Sequence, residues 1–369
     1  MAVEQYFRDV VERKRTGPDV LLLHILFLIF SLPYGLILRL RALAYEWGLL
    51  RSFRLSKPVI SVGNITVGGT GKTPMVALLA RYCISKGKRV AVLSRGYGGS
   101  LHGETRIVSD GREIFLTPGE AGDEPFMLAT RIPGLLVVIG PDRYKAGLFV
   151  QERLDPDIFI LDDGFQHLRL KRDLNILLLN RSKPFGNGCV LPAGLLREYR
   201  SAAKRADLVI YTRCGNKEPD IYLPGIPSCL ANHRISEVIP LGEAAPLPLS
   251  RLASLPGMAF AGIAEPSNFF AMLEDAGLKI SRKTAFADHC RYGEKEIAEI
   301  VVQKKLAQAA YLITTEKDAV KLSPYVQELG DVYVAVLEVE IRDMMNLDEA
   351  LQKVLSSAAA QLQVANRCF

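Results

Sequence analysis

Residues 64–74 read NITVGGTGKTP. Gly68, Gly69 and Gly71 allow a tight turn without Cβ clashes. The N–H groups of Val67, Gly68, Gly69 and Thr70 can then face inward as an anion cradle. Lys72 can reach the β- and γ-phosphates of a nucleotide, and Thr73 stands where a hydroxyl would meet Mg²⁺. Pro74 falls early in the following helix, where its missing N–H does little harm. The usual phosphate-loop pattern has a glycine where this chain has Thr66. A flexible glycine turn explains neither Gly-Lys-Thr nor the strand and helix patterns around it, so residues 66–73 are the candidate nucleotide site.

Phosphoryl transfer also asks for a carboxylate at the end of a neighbouring strand. The run DIFILDDGFQH offers Asp162 and Asp163 after four apolar residues. Side chains alternate across a strand, so one can serve Mg²⁺ and the other can fix the loop. The sequence leaves open which does which. Alone, a double Asp there would as readily be a turn or a helix cap. Arg143 in GPDR and Arg197–Glu198 in LLRE suit phosphate neutralisation and support of the metal, but exposed ion pairs read the same way. Arg95 in SRGYGG either touches substrate or ends a strand, and His167 is a candidate partner behind the acidic pair.

These residues need elements to hold them. Six short Val/Ile/Leu runs, at 58–64, 89–96, 135–140, 157–164, 174–180 and 207–213, read as buried strands. A helical pattern carrying Val76, Leu79, Ala80 and Cys83 on one face lies between the first two. Strand–helix alternation predicts a mostly parallel sheet with flanking helices, a phosphate-loop NTPase type of α/β fold. Prolines cluster over 215–256 and predict a linker or small irregular region. A smaller α/β block follows, with strands at 257–264, 310–318 and 332–341 and a C-terminal helix over 347–363. The expected division is a membrane-anchoring segment 1–55, a phosphate-loop core 56–222, and a C-terminal α/β domain 223–369 that contributes to the cleft.

Hydrophobic residues make up 49% of the 369 residues and mean hydropathy is +0.14. The apolar excess is concentrated at VLLLHILFLIFSLPYGLIL, residues 20–38, long enough to cross a bilayer. No small-residue cleavage site follows it, which argues against a signal peptide. Arg39, Arg41, Trp47, Arg51 and Arg54 come next, an amphipathic stretch suited to lipid headgroups. Arg8, Arg13, Lys14 and Arg15 precede it, so charge does not orient the helix. The segment is expected to span the membrane or to lie in one leaflet. Net charge is +6, which suits anionic partners without choosing among them. The six cysteines form no C-x-x-C pair and point to a reducing compartment.

The ordered motifs SVGNITVGGTGKTP, LSRGYGG, GDEP, GPDR, ILDDGFQH, LPAGLLRE, AFAGIAEPSNFF, FADH and TTEKDAVKL resemble the tetraacyldisaccharide 4′-kinase family over residues 57–322. The family carries Ser or Thr where other phosphate loops have the first glycine, so Thr66 conforms. The resemblance implies transfer of the ATP γ-phosphate, with Mg²⁺, to the 4′-hydroxyl of a lipid-linked glucosamine disaccharide 1-phosphate. It implies that Asp123 of GDEP and His289 of the DH motif together activate the acceptor hydroxyl, with Lys72 on the phosphates. Taken alone, Asp123 would read as a helix cap and His289 as a loop histidine. The resemblance implies an inner-membrane enzyme facing the cytoplasm, with a lipid A precursor as partner and no nucleic acid. It leaves the oligomeric state open, a monomer being compatible. Tyr199 follows LRE where proline is commoner, and Cys290 follows the DH pair where an aromatic or polar residue is more typical. A membrane-bound ATPase or GTPase switch of the partitioning or metallochaperone type is the competing reading. It would not require GDEP or DH.

Overall fold

The computed structural model describes residues 2–12, 14–243 and 245–365. Arg13 and Cys368 lie outside the described residues. The strands are β1 (Val59–Gly63), β2 (Val90–Ser94), β3 (Arg106–Asp110), β4 (Leu136–Ile139), β5 (Ile158–Asp162), β6 (Leu174–Asn180), β7 (Leu208–Thr212), β8 (Ser228–Pro240), β9 (Pro256–Ala261), β10 (Lys279–Ala285), β11 (Tyr311–Thr315) and β12 (Val332–Ile341). They form one 12-stranded sheet in the order β10-β9-β11-β12-β8-β7-β6-β1-β5-β2-β4-β3. The helices are α1 (Ala2–Val11), α2 (Pro18–Glu46), α3 (Lys72–Ser85), α4 (Pro118–Ala121), α5 (Asp123–Arg131), α6 (Arg143–Leu154), α7 (Pro266–Asp275), α8 (Glu294–Leu306), α9 (Glu316–Ala319), α10 (Val326–Leu329) and α11 (Met345–Ala365).

Strands β1, β2, β5 and β7 are buried along their whole length. Their unbroken apolar runs follow from helices covering both faces of a parallel sheet. Ile60, Val62 and Ile160 pack against Met75, Val76 and Leu79 of α3 on one face. Val59, Phe159 and Leu161 pack against Ala146 and Val150 of α6 on the other. All six strands expected up to residue 213 are present. Two edge strands are not legible in the pattern. β3 pairs antiparallel with β4, and β10 reads KISRKTA with no apolar alternation. Lys279, Arg282 and Lys283 keep that open edge charged, a guard against strand addition.

The region 215–256 departs from the linker expectation. Its centre is β8, the longest strand. Most of the prolines that suggested a linker flank the strand and Pro240 ends it, and its half-buried pattern gives a weak apolar signal. The start of β8 pairs parallel with β7, from Val209↔Ser228 to Tyr211↔Leu230. The remainder pairs antiparallel with β12, from Tyr333↔Pro240 to Ile341↔Ala231. One strand therefore joins the two α/β blocks into a single sheet. Helix α11 crosses back and sets Leu347, Leu351 and Val354 into the core beside Ile176 and Ile210.

Helix α2 covers the expected apolar segment and continues to Glu46, with Pro33 inside it. Its contact with the body is narrow. Ser31 Oγ donates to Val190 O at 2.9 Å and accepts from Ala193 N at 2.9 Å. Gly35 lies against the Tyr199 ring, leaving no room for a Cβ. Arg41 also reaches Gln166 O at 3.1 Å and Tyr34 packs on the body, but the outer face is open, and Leu32 is 70% exposed beside exposed Leu22, Phe30 and Ile37.

Candidate active site

The phosphate loop leaves β1 and enters α3. Gly71 caps that helix at φ 82°, a conformation favouring glycine, and a Cβ there would overlap His233 Nε2. Thr66 takes no such turn. It forms an antiparallel bridge with Leu196, supported by Val67 N to Leu195 O at 2.7 Å and Arg197 N to Ile65 O at 2.8 Å. The loop entry is extended backbone pinned to the LPAGLLRE segment, so a glycine is not needed there. Inside the loop, Asn64 Nδ2 donates to Thr70 Oγ1 at 2.8 Å. At its tip, Arg213 donates to Gly69 O at 2.7 Å and to Glu265 Oε2 at 2.6 Å. Glu265 is also 4.0 Å from Arg8 of α1.

The paired aspartates separate as the strand alternation requires. Asp163, at φ 52°, receives Arg197 at 2.7 and 2.9 Å and lies 3.7 Å from Lys72 Nζ. Burial works against its charge, yet Lys72 and Arg197 hold its carboxyl below the usual range. Asp162 is buried, and its Oδ1 has no hydrogen-bond partner. Burial first, then Glu124 and Asp163, push its carboxyl up to about 7. An orphaned, electrostatically strained carboxylate fits a divalent cation. Thr73, buried in the first turn of α3, supplies a hydroxyl on the loop side. Arg143 is buried close to both aspartates and beside Arg95, and burial pushes its guanidinium down while Asp162 and Asp163 oppose that. His167 is neutral at ordinary pH, because burial and Arg143 push it down to about 4. Arg95 itself is exposed.

Glu198 is not brought to this cluster. Both its oxygens are taken by Arg205, at 2.9 and 2.8 Å, and it lines a cavity on the α2 side. Consecutive residues 197 and 198 point to different sites, which one-letter spacing does not reveal.

Asp123 opens α5, where the helix N-terminus favours an acid. Gly122, at φ 91°, has no room for a Cβ against Tyr97 O, so the SRGYGG and GDEP turns interlock. Asp123 Oδ2 meets His289 Nδ1 at 3.1 Å and Lys321 Nζ at 3.3 Å. Burial opposes its charge, but the His289 hydrogen bond and Lys321 hold its carboxyl below the usual range. His289 sits at φ 57°, held by its N–H to Gly262 O at 3.1 Å. Its Nε2 faces Lys317 Nζ at 3.1 Å, and Lys317 also donates to Asp288 at 2.9 Å. The network assigns the proton to Nδ1, donated to Asp123, and leaves Nε2 as the acceptor. The Tyr97 and His289 ring centroids lie 5.4 Å apart, edge to face.

The two clusters are neighbours. Glu124, next to Asp123, acts on Asp162 and lies 3.9 Å from Lys317. Asp123 and Glu124 come from the first α/β block, and His289, Lys317 and Lys321 from the second. Residue-type reasoning passed over Glu124, Lys317, Lys321, Arg213 and Glu265. Lys317 and Lys321 stand four apart in TTEKDAVKL, and that spacing after a strand was the available signal. Arg213 and Glu265 lie in no chemical pattern.

Comparison with known proteins now decides the family. Residues 23–356 match the family described as tetraacyldisaccharide-1-P 4′-kinase. The chain belongs to that family. It is 58% identical over 332 residues to the tetraacyldisaccharide 4′-kinase of Geobacter metallireducens, covering 89% of this chain and 98% of the relative. It is 55% identical over 356 residues to that of Geobacter sulfurreducens, covering 96% and 100%. The crystal structure of the Aquifex aeolicus protein in complex with ATP aligns with a TM-score of 0.76 at 35% identity, covering 90% of this chain and 99% of that one. Membership in the 4′-kinase family sets aside the switch-ATPase reading.

Proposed function

We infer that the chain transfers the γ-phosphate of ATP to the 4′-hydroxyl of a tetraacyldisaccharide 1-phosphate, giving the 4′-phosphorylated lipid A precursor. Family membership supports the reaction, and the Asp123–His289 pair spanning the cleft beside the phosphate loop is the observation that carries it. The loop at 66–73 cradles the nucleotide phosphates. An incoming phosphate competes with Asp163 for Lys72. Thr73 and Asp162 would hold Mg²⁺, which would supply charge neutralisation on the β- and γ-phosphates. Arg143 and Arg197 keep the loop surroundings positive, and Arg95 is free to meet the acceptor. Asp123 stays ionised and orients the imidazole, and His289 Nε2 takes the hydroxyl proton once Lys317 gives way to substrate. His167 stays neutral beside Arg143.

Segment 1–55 anchors the enzyme, 56–222 carries the phosphates, and 223–369 brings His289 to the cleft. Because Ser31 and Gly35 are docked on the body, α2 lies along it with its open face in one leaflet. With a lipid A precursor as acceptor and ATP as donor, this supports an enzyme seated on the inner membrane and facing the cytoplasm.

Incubation with ATP, Mg²⁺ and a disaccharide 1-phosphate lipid tests the reaction directly. The expected product is the 4′-phosphorylated lipid; ATP turnover indifferent to the lipid would refute the reading. Asp123→Ala and His289→Ala should each lower turnover on the order of 10²-fold or more with nucleotide affinity nearly unchanged. Loss of ATP binding in either variant would reassign that residue.

A further inference from the structure

A cavity of about 790 Å³ lies between the C-terminal half of α2 and the body. It is separate from the phosphate loop. Its lining includes Asn175 and Asp207, which lie at the N-terminal ends of β6 and β7. The phosphate loop leaves the opposite, C-terminal end of β1, parallel to β6.

The two walls differ in chemistry. Leu38, Ala42 and Leu43 form an apolar wall on α2, continuous with the exposed apolar face of that helix. The body side is basic. Arg172 reaches only the backbone oxygens of His167 and Leu170, at 3.2 and 3.1 Å. Arg205 is occupied by Glu198, and its Nε is buried without a partner. Arg39, Lys171 and Lys204 also line the cavity, and none makes a side-chain hydrogen bond or ion pair among the described residues. The lining carboxylates are fewer. Glu198 is held by Arg205, and Asp207 receives Asn175 N at 2.8 Å. Glu46 lies at the helix end.

We propose that this cavity binds the phosphate headgroup of an anionic membrane phospholipid, with the acyl chains lying along the open face of α2. The volume suits one headgroup. The unpaired cations supply its charge complement, and the apolar wall leads directly to the leaflet. The site rests on the reading of α2 as membrane-associated. It adds a headgroup pocket built largely from the catalytic body, distinct from the acceptor site.

Full-length protein is floated with phosphatidylcholine vesicles, with and without phosphatidylglycerol. Wild type should bind the anionic vesicles more tightly. Lys171→Gln and Lys204→Gln should each lose about fivefold of that increment, with binding to phosphatidylcholine unchanged. Ala42→Trp intrudes on the cavity from its apolar wall without removing charge and should reduce the increment. Lys279→Gln, on the far edge strand, should leave it intact. Loss in Lys279→Gln equal to that in Lys204→Gln, or an unaffected Ala42→Trp, would make the attraction diffuse and overturn the pocket. Inorganic phosphate at matched ionic strength should not displace the vesicles; displacement would reassign the site to a free anion. Failure to bind phosphatidylcholine at all would overturn the membrane reading of α2 itself. In neutral detergent without phospholipid, Lys171→Gln and Lys204→Gln should keep wild-type kcat and KM for the lipid acceptor. A raised KM there would make the cavity part of the acceptor site.

Discussion

At the residue scale the two adjacent aspartates show how context divides one residue type. Asp163 is ion-paired to Arg197 and Lys72, whereas Asp162 keeps a buried Oδ1 with no hydrogen-bond partner, although the backbone places them side by side. Asp162→Asn should therefore lower Mg²⁺-dependent turnover on the order of 10²-fold, measured at saturating ATP. Asp163→Asn should instead free Arg197 and Lys72, and its first effect should appear in ATP affinity. Strand alternation in the sequence predicts that one of the pair serves the metal and one the loop. It could not say which, because the answer lies in Arg197, distant in the chain. Glu198 was misplaced for the same reason. The LLRE motif gives the residue types, but the turn that sends Arg197 and Glu198 apart depends on the pairing of Thr66 with Leu196. Asp123 and His289 were legible only through the family resemblance, since nothing in their local sequence announces a contact between positions 166 residues apart.

At the element scale the phosphate loop is held by three neighbours: the 195–197 segment at its entry, His233 beneath Gly71, and Arg213 at its tip. Arg213→Ala should weaken ATP binding about tenfold, because a hydrogen bond from a charged donor is lost; isothermal titration measures it. Helix α2 meets the body through small residues. Gly35→Leu should force the helix off Tyr199 and cost about 1–3 kcal/mol, read as a lower melting temperature in detergent. Tyr199 thus has a local role as the surface on which Gly35 sits. The buried parallel strands were readable because they are apolar throughout. β8 and β10 were not, because half-buried and edge strands carry mixed sequences whose pairing is decided by distant partners.

At the scale of the whole molecule, the α/β class and its mostly parallel sheet follow from strand–helix alternation, but the continuity of that sheet does not. Calorimetry should show residues 56–365 unfolding as one transition, since β8 belongs to both halves; two separated transitions would contradict this. The molecule should also be acid-sensitive. Burial holds His167 and His233 down to about 4 in the folded chain, below the ordinary value of about 6.5. The unfolded chain then binds more protons between those values, so stability falls as pH drops from about 6.5 through about 4. His233→Gln should flatten that slope in a pH series of melting curves. The seam at β7 and β8 has one more consequence. Its register holds only three residue pairs, from Val209↔Ser228 to Tyr211↔Leu230, and α11 braces it from one face. A chain cut between Arg213 and Pro227 yields two fragments with complementary open edges. Neither holds both Asp123 and His289, so kinase activity returns only as the halves recombine, and the enzyme becomes a reporter of its own reassembly.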